Sequence, residues 1–407
     1  MALDERIAVV GAGYVGLPLA LLLARAGRHV LAVDTDQRKV QGINDGTLQL
    51  DEPDLRALLV DPEVRAHLRS ATTPEAADIF VIAVPTPADQ RKKVADLRSL
   101  EAALSSIVPM LRHGNLVIVE STIPPLTTRD IATPILEVSG LKVGTDLLVA
   151  HCPERVLPGH TLHEMIHNDR IIGGTTAEAT DRAARLYGLF VEGALLMTDD
   201  ITAELAKLAE NSYRDINIAF ANELAAVAEG LGIDPLEVIR LANRHPRVNI
   251  HQPGIGVGGH CIPLDPWFIK QVDAYNTTLI AASRRINDGQ PARIASRIRQ
   301  AVRGIPSPVI IAVGATYKPN VGDTRESPAV QVVELLRADG YDVTHLDPHV
   351  QTMSYESLAD ASRNADCLAI LVEHDEVRTE LITEGPTILS GMRTPMVLRF
   401  YERKDQP

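Results

Sequence analysis

The residues best suited to covalent chemistry lie at 254–265, in the run Gly-Ile-Gly-Val-Gly-Gly-His-Cys-Ile-Pro-Leu-Asp. One thiol, Cys261, follows the glycines, and the Asp265 carboxylate comes four residues later. A thiolate is a strong nucleophile toward an aldehyde carbon. Glycines let a backbone crowd against a ligand and turn N–H groups inward, where they lower a thiol pKa or hold an oxyanion. The competing reading is a small cysteine buried in an ordinary turn. Cys152 and Cys367 lack comparable surroundings, and that second reading suits them. Three widely spaced cysteines make neither a disulfide framework nor a zinc pattern and fit a reducing compartment; no metal site is expected.

A second constellation is Gly11-Ala12-Gly13-Tyr14-Val15-Gly16, which follows an apolar run and opens a helical one. The first Gly permits a tight turn, the second lets the backbone approach a pyrophosphate, and the third lets helix and strand pack closely. The helix N-terminus adds free N–H groups for the phosphates. Asp34 stands 21 positions after Gly13, where a carboxylate accepts hydrogen bonds from a ribose diol and repels a 2′-phosphate. This points to NAD over NADP, although Arg38 and Lys39 leave tolerance of NADP open. The alternative is a Gly-rich turn in another nucleotide- or flavin-binding domain.

A third constellation is polar. Glu204, Lys207, Asn211 and Arg214 fall at i, i+3, i+7 and i+10, along one helical face. Such a stripe is usually a solvated face. The sharper reading is that Lys207 and Asn211 line a cleft, where Lys stabilises an alkoxide and Asn orients a water.

These groups need elements to hold them. The first half alternates β-branched runs at 7–10, 30–33, 79–84, 116–120 and 147–150 with helical stretches, which predicts βαβ units and a parallel sheet. Residues 199–231 contain no Pro, and no Gly before Gly230, with apolar residues at helical spacing; they predict a spine helix roughly 45 Å long. Asp234-Pro235 starts another helix, and a further one is expected at 275–302. The βα pattern returns with strands at 309–313, 343–346 and 367–372 and a helix at 328–337. The expected fold is α/β, with an N-terminal Rossmann domain over 1–197, a central all-helical region over 198–303 and a second Rossmann-like domain over 304–407. The polar residues at 402–407 are expected to fray.

Composition sets the outer bounds. The 407 residues are 45% hydrophobic but only 3% aromatic, so the cores rest on Leu, Val, Ile and Ala. A net charge of −13 argues against nonspecific nucleic-acid or membrane binding, which needs basic surface, yet leaves room for a locally positive pocket and an anionic substrate. The first residues lack the basic and apolar runs of a signal peptide, and no apolar run spans a bilayer; a cytoplasmic protein is expected.

Taken together, these residues resemble the UDP-glucose/UDP-mannuronate dehydrogenase family over nearly the whole chain. The resemblance implies an NAD-binding Rossmann domain, a central helical dimerisation region and a C-terminal UDP-binding domain. It implies two successive oxidations of a C6 alcohol at one site, through a Cys thiohemiacetal and thioester. Glu120-Ser121-Thr122 is similar to a segment whose Thr positions the catalytic water, and Pro153-Glu154-Arg155 to one whose Glu takes part in acid–base chemistry. Lys207 and Asn211 match the family's active-site pair, Cys261 its nucleophile and Asp265 its general base. Tyr14, Val15, Arg38, Thr86, Thr122 and Arg325 would join Gly11, Gly13, Gly16 and Asp34 around the cofactor. Arg155, Val156, Arg247, Gly258, His260, Tyr317, Lys318 and Arg399 would join Glu154, Lys207 and Asn211 around the substrate. A homodimer is implied, packed through the central helices, with Arg244 or Arg247 reaching into the neighbour's site.

Within the family the residues lean toward its amino-sugar branch. His260 stands where the glucose branch has Ser, Leu264 where it has Lys, and Pro158 where it has a second acid. Leu264 offers an apolar wall or space and His260 a polar partner for an acetamido group, unless both merely repack the loop. Segments around Arg155, Arg170 and Arg247 resemble UDP-N-acetylmannosamine dehydrogenases. Oxidation of UDP-N-acetylglucosamine or UDP-glucose is the close alternative. A two-electron hydroxyacid dehydrogenase is a more distant one, since it would not need Cys261, and so is a non-catalytic nucleotide sensor.

Overall fold

The apolar β-branched runs become strands, and the long Pro-free stretch becomes one helix. The structure, a computed structural model, describes residues 5–89, 92–156 and 159–401, and it divides into two units. The first unit is Met1–Glu210 with Trp267–Asp273; the second is Asn211–Pro266 with Ala274–Pro407. The tail expected to fray and Pro158 lie outside the described residues.

The first unit is built on an eight-stranded sheet. Its strands are β1 (Ile7–Val10), β2 (Val30–Val33), β3 (Leu68–Ala71), β4 (Ile79–Ile82), β7 (Leu116–Val119), β8 (Leu148–His151), β9 (Arg170–Gly174) and β10 (Leu195–Asp199). A two-stranded ribbon, β5 (Ala88–Asp89) with β6 (Val94–Ala95), lies outside it. The order is β10-β9-β8-β7-β4-β1-β2-β3. Chain direction reverses its march across the sheet between β1 and β4, the doubly wound arrangement whose ligands bind outside the carboxyl ends of the strands. β1, β2, β4, β7 and β8 are buried throughout, which is why they read as unbroken apolar runs. Helix Gly16–Arg25 is buried along all but its last residue, and Pro18 sits in its first turn, where no N–H is missed. Each such Leu contributes about 1.5–3 kcal/mol by leaving water.

The five strands expected from the sequence run parallel, and the sheet continues past them with a reversal that the sequence pattern does not contain. β8 and β9 pair antiparallel, Ala150 opposite Gly174 and His151 opposite Gly173, while β9 and β10 run parallel to each other. The chain leaves β8 at the carboxyl edge, makes the short helix Thr161–His167 and re-enters from that same edge. No crossover returns it to the other end first. One consequence is that Arg170, the first residue of β9, lies at the carboxyl edge.

The second unit carries a parallel four-stranded sheet, β12 (Asp342–Leu346), β11 (Val309–Val313), β13 (Cys367–Ile370) and β14 (Val397–Arg399), in that order. Helices Thr278–Ala301 and Pro328–Ala338 pack on it with Ile294, Ile298, Val332 and Leu336 buried. The spine helix runs from Asp200 to Gly230. Its buried face is small or polar, with Ala203, Lys207, Asn211, Asp215 and Asn222 inside, while Leu205, Tyr213, Phe220 and Val227 are 43%, 60%, 49% and 60% exposed. Among the described residues no helix is long and apolar enough to cross a membrane.

Candidate active site

In the first unit the expected residues line the carboxyl edge of the sheet. Gly11 follows β1 with φ +102°, a backbone that favours glycine, and a Cβ there would meet Ala83 O at 2.5 Å. A Cβ on Gly16 would fall 1.8 Å from Gly11 O, so this glycine permits the close packing of helix on strand. Around Gly13 there is nothing within 4 Å of where a Cβ would stand. That open approach to the start of helix Gly16–Arg25 fits a pyrophosphate. Val15 caps the helix, and the half-exposed Tyr14 bonds its hydroxyl to Thr161 Oγ1 at 2.9 Å.

Asp34 follows β2. Its carboxylate accepts from the Asp36 amide at 2.9 Å and from Lys39 Nζ at 3.3 Å. Arg38 turns away, exposed, beside Asp36 at 3.6 Å. Lys39, rather than Arg38, is therefore the cation beside the Asp34 carboxylate. Thr86, after β4, donates to the carbonyl of Thr122, after β7, at 2.5 Å, which ties two adjacent strand exits together.

Glu154, beyond β8, is buried. Burial pushes its carboxyl up to about 7, while the Arg155 amide and the Lys207 and Arg155 charges pull the other way. The Arg155 guanidinium is drawn off to Glu210 at 2.6 Å and to the Asp169 carbonyl at 2.9 Å; Val156 packs on the main core. Glu154 also shares Arg170 with Glu120, both buried, under the ring of Tyr187. Of these last three, Glu120 and Arg170 stand in the sequence only as parts of family-like segments, and nothing there singles out Tyr187. The signal was present: an acid and a base in otherwise apolar strand ends.

The polar stripe on the spine helix is not a solvated face over Glu204, Lys207 and Asn211, which are all buried. Glu204 serves structure. Its carboxylate accepts from the Leu126 amide at 2.6 Å and from the Thr128 amide and hydroxyl at 2.8 and 2.6 Å. Lys207 is near enough to Glu154 and His151 for its charge to lower both pKa values.

In the second unit, Asn211 donates to Asp265, and Arg214, itself exposed, donates to Asn211. Asp265 is buried and begins helix Asp265–Val272; its amide and that of Leu264 donate to the Cys261 carbonyl at 2.9 and 3.1 Å. Cys261 is exposed, unlike Cys152 and Cys367, so its thiol is not a buried packing group. The glycines before it crowd against the chain itself. A Cβ on Gly258 would stand 2.6 Å from Glu326 O and 2.8 Å from Tyr317 Cβ, and the Gly259 amide donates to the Arg325 carbonyl at 3.1 Å. Tyr317 and Arg325 both lie near Cys261. Arg325 pairs with Asp323 at 2.6 Å, Lys318 lies 5.9 Å over the Tyr317 ring, and Arg399 pairs with Glu373 at 2.7 Å. His260 is exposed, and burial of its surroundings with the Arg325 charge lowers its pKa. Leu264 is buried, so it packs the loop rather than facing outward. Arg247 is exposed.

Three family models match in succession: the NAD binding domain of the UDP-glucose/GDP-mannose dehydrogenase family at residues 5–191, its central domain at 201–289 and its UDP binding domain at 311–398. The chain belongs to the UDP-glucose/GDP-mannose dehydrogenase family. It is an NAD-dependent oxidoreductase with a Rossmann NAD-binding domain, a central helical domain and a C-terminal UDP-binding domain. The chain is 44% identical over 378 residues to UDP-N-acetyl-D-mannosamine dehydrogenase of Methanococcus maripaludis, covering 91% of this chain and 86% of that one. It is also 44% identical over 387 residues to NDP-N-acetyl-D-galactosaminuronic acid dehydrogenase of Ralstonia nicotianae, covering 91% of each. The solved UDP-D-ManNAc dehydrogenase from Pyrococcus horikoshii superposes with a TM-score of 0.91 at 38% identity, covering 99% of this chain and 96% of that one.

Proposed function

We propose that this enzyme oxidises the C6 alcohol of a UDP-N-acetylhexosamine to the carboxylate, with UDP-N-acetyl-D-mannosamine as substrate and UDP-N-acetyl-D-mannosaminuronate as product. The observation that carries the reading is the exposed thiol of Cys261, at the end of a glycine loop packed on Tyr317, with the buried Asp265 one turn away and fixed by Asn211. Two NAD molecules, held in succession by Gly11, Gly13, Gly16 and Asp34, would each accept one hydride, one for each oxidation. Lys207 stabilises the negative charge that develops on the C6 oxygen. Cys261 Sγ adds to the aldehyde carbon and retains it as a thiohemiacetal, which the second oxidation turns into a thioester. Water then bonds to that carbon as the C–S bond breaks. Asp265 or Glu154 takes the water proton, Thr122 orients the water, and the thiolate is regenerated.

A second sugar reading has its own support, because a relative named for N-acetyl-D-galactosaminuronic acid is as similar as the one named for N-acetyl-D-mannosamine. Both names share the acetamido group. The deciding experiment compares kcat/KM for UDP-N-acetylmannosamine, UDP-N-acetylgalactosamine, UDP-N-acetylglucosamine and UDP-glucose at saturating NAD. Efficient oxidation of UDP-glucose with no activity on any acetamido sugar would overturn the assignment. The exposed stripe Leu205, Tyr213, Phe220 and Val227 supports a homodimer packed along the spine helix, with Arg247 reaching the partner's substrate. Three cysteines without a disulfide support work in the cytoplasm.

A further inference from the structure

The carboxyl edge of the first unit holds a buried ionic triad. Arg170 Nη1 donates to Glu154 Oε2 at 3.2 Å, and Arg170 Nη2 donates to Glu120 Oε1 in a much shorter contact. Nη2 also reaches the Cys152 carbonyl at 3.4 Å. Tyr187 closes the cluster, its ring 4.0 Å from the guanidinium carbon and its hydroxyl donating to Glu120 Oε1 at 3.3 Å. Glu120, Arg170 and Glu154 are 1%, 5% and 9% exposed. Glu120 Oε2 and Arg170 Nε have no hydrogen-bond partner. One guanidinium therefore serves two carboxylates, in a site where neither can turn to water.

We propose that Arg170 is a positioning residue for the reaction: anchored on Glu120 and Tyr187, it fixes the carboxylate of Glu154 at the end of β8. The inference rests on the acid–base role assigned above to Glu154. The geometry makes the two carboxylates unequal. Glu120 takes the close contact and the tyrosine hydroxyl on one oxygen, while Glu154 keeps the longer contact to Arg170 and accepts from the Arg155 amide at 2.5 Å on its other oxygen. Two carboxylates facing one cation leave a negative charge in an apolar pocket, and the less tightly held group gains the proton more easily. Toward Arg170, Glu154 is the less closely held of the two, so it exchanges a proton while Glu120 stays on the guanidinium. The charges that face Glu154 agree with this. Arg170, Arg155 and Lys207 favour its ionised form, and Glu164 opposes it. His151 is buried with both ring nitrogens unpartnered and its pKa lowered by that burial, so it supplies no further cation. The antiparallel entry of β9 is what brings Arg170 to this edge.

The test measures kcat, KM and the pH profile of kcat for E120Q, R170K and E154Q, with thermal melts and NAD binding as controls. In E120Q the amide keeps the shape but frees the guanidinium for Glu154, so the acidic limb of kcat should move to lower pH. R170K keeps one charge but cannot bridge two carboxylates. Its kcat should fall about a hundredfold, the scale of a small misplacement of a catalytic group, with KM for the sugar little changed. Should R170K fail to fold, the direction of the E120Q shift decides the matter. An unmoved limb in E120Q, or wild-type kcat in R170K, would overturn the positioning role. If E154Q alone keeps wild-type kcat and pH profile, the acid–base assignment of Glu154 fails first, a distinct result.

Discussion

Gly13 and Gly16 both belong to the glycine loop proposed to hold NAD, yet the structure gives them opposite constraints, and substituting each separates binding from folding. At Gly16 an added methyl would fall 1.8 Å from the Gly11 carbonyl oxygen and 3.1 Å from Ala83 Cβ, so the helix must move off the strand by more than an ångström. Overpacking of that kind costs roughly 1–3 kcal/mol or more. Melting should drop by several degrees, at about 2–4 °C per kcal/mol for a domain of this size. At Gly13 the methyl meets nothing within 4 Å, and φ is outside the left-handed region. Folding should be unharmed or gain about 0.4–1 kcal/mol from the stiffer unfolded chain. The methyl instead occupies the approach to the helix N-terminus. Losing one or two charge-assisted bonds there, each about 1.5–3 kcal/mol, gives a central loss near 3 kcal/mol, or about a hundredfold in Kd for NAD. Calorimetric titration with NAD, beside melts run without cofactor so that ligand linkage does not hide the difference, reads both quantities. Gly13→Ala binding NAD as tightly as wild type, or melting as low as Gly16→Ala, would refute the reasoning.

Cys261→Ala should abolish acid formation, while the wild-type enzyme yields about two NADH per sugar, the count that covalent retention of the aldehyde implies; a ratio near one with free aldehyde would contradict it. Asp34→Ala should weaken NAD binding and narrow the preference over NADP, because it leaves Lys39, now 3.3 Å from the carboxylate, beside the ribose; competition of the two cofactors measures this. For pH, Glu154 must be ionised to act as a base, and its pKa is raised to about 7, so kcat should fall as pH drops through that value. The same shift has the opposite sense for stability. A carboxyl raised above its ordinary 4.5 contributes stability that is full below 4.5 and lost as pH rises through about 7, so E154Q should melt with a flatter pH dependence in that window. Light scattering should show a dimer for wild type and a smaller species for F220D, since Phe220 is 49% exposed on the apolar stripe; an active wild-type monomer would count against the assembly.

Much of the fold was legible because its signals are local. Fully buried strands such as Leu116–Val119 are unbroken apolar runs, and the spine helix has no Pro and an Asp at its start. The strands that escaped notice lack such runs. β3 reads Leu-Arg-Ser-Ala and β9 reads Arg-Ile-Ile-Gly-Gly, and neither alternates. In β9 the composition follows from tertiary packing: a Cβ on Gly173 would stand 2.4 Å from Asp199 O and 2.5 Å from Ala203 Cβ, where the spine helix starts. The strands that pair with β9 are its sequence neighbours β8 and β10, but the contacts that demand its glycines come from the start of the spine helix, so its composition carries no strand signal.

The candidate site divides along the same line. Gly11 and Gly16 announce themselves, because a backbone that must turn and then pack closely within six residues leaves only glycine as a choice, and Gly13 and Asp34 are legible by their spacing from them. The glycines before Cys261 carried a second meaning that spacing cannot separate from the first. Gly258 and Gly259 admit Tyr317 and the Arg325 carbonyl, groups some sixty residues away, so they order a loop-on-loop contact. The spine helix inverted expectation for a related reason. A polar stripe normally faces water, but Glu204 is drawn inside by three donors at 126–128 and Asn211 by the buried Asp265, leaving the apolar Tyr213 and Phe220 outside. Burying polar groups is costly unless each is paired, and these are. The helix therefore spends its inner face on hydrogen bonds and leaves apolar side chains exposed on its outer one, the reverse of the usual amphipathic order.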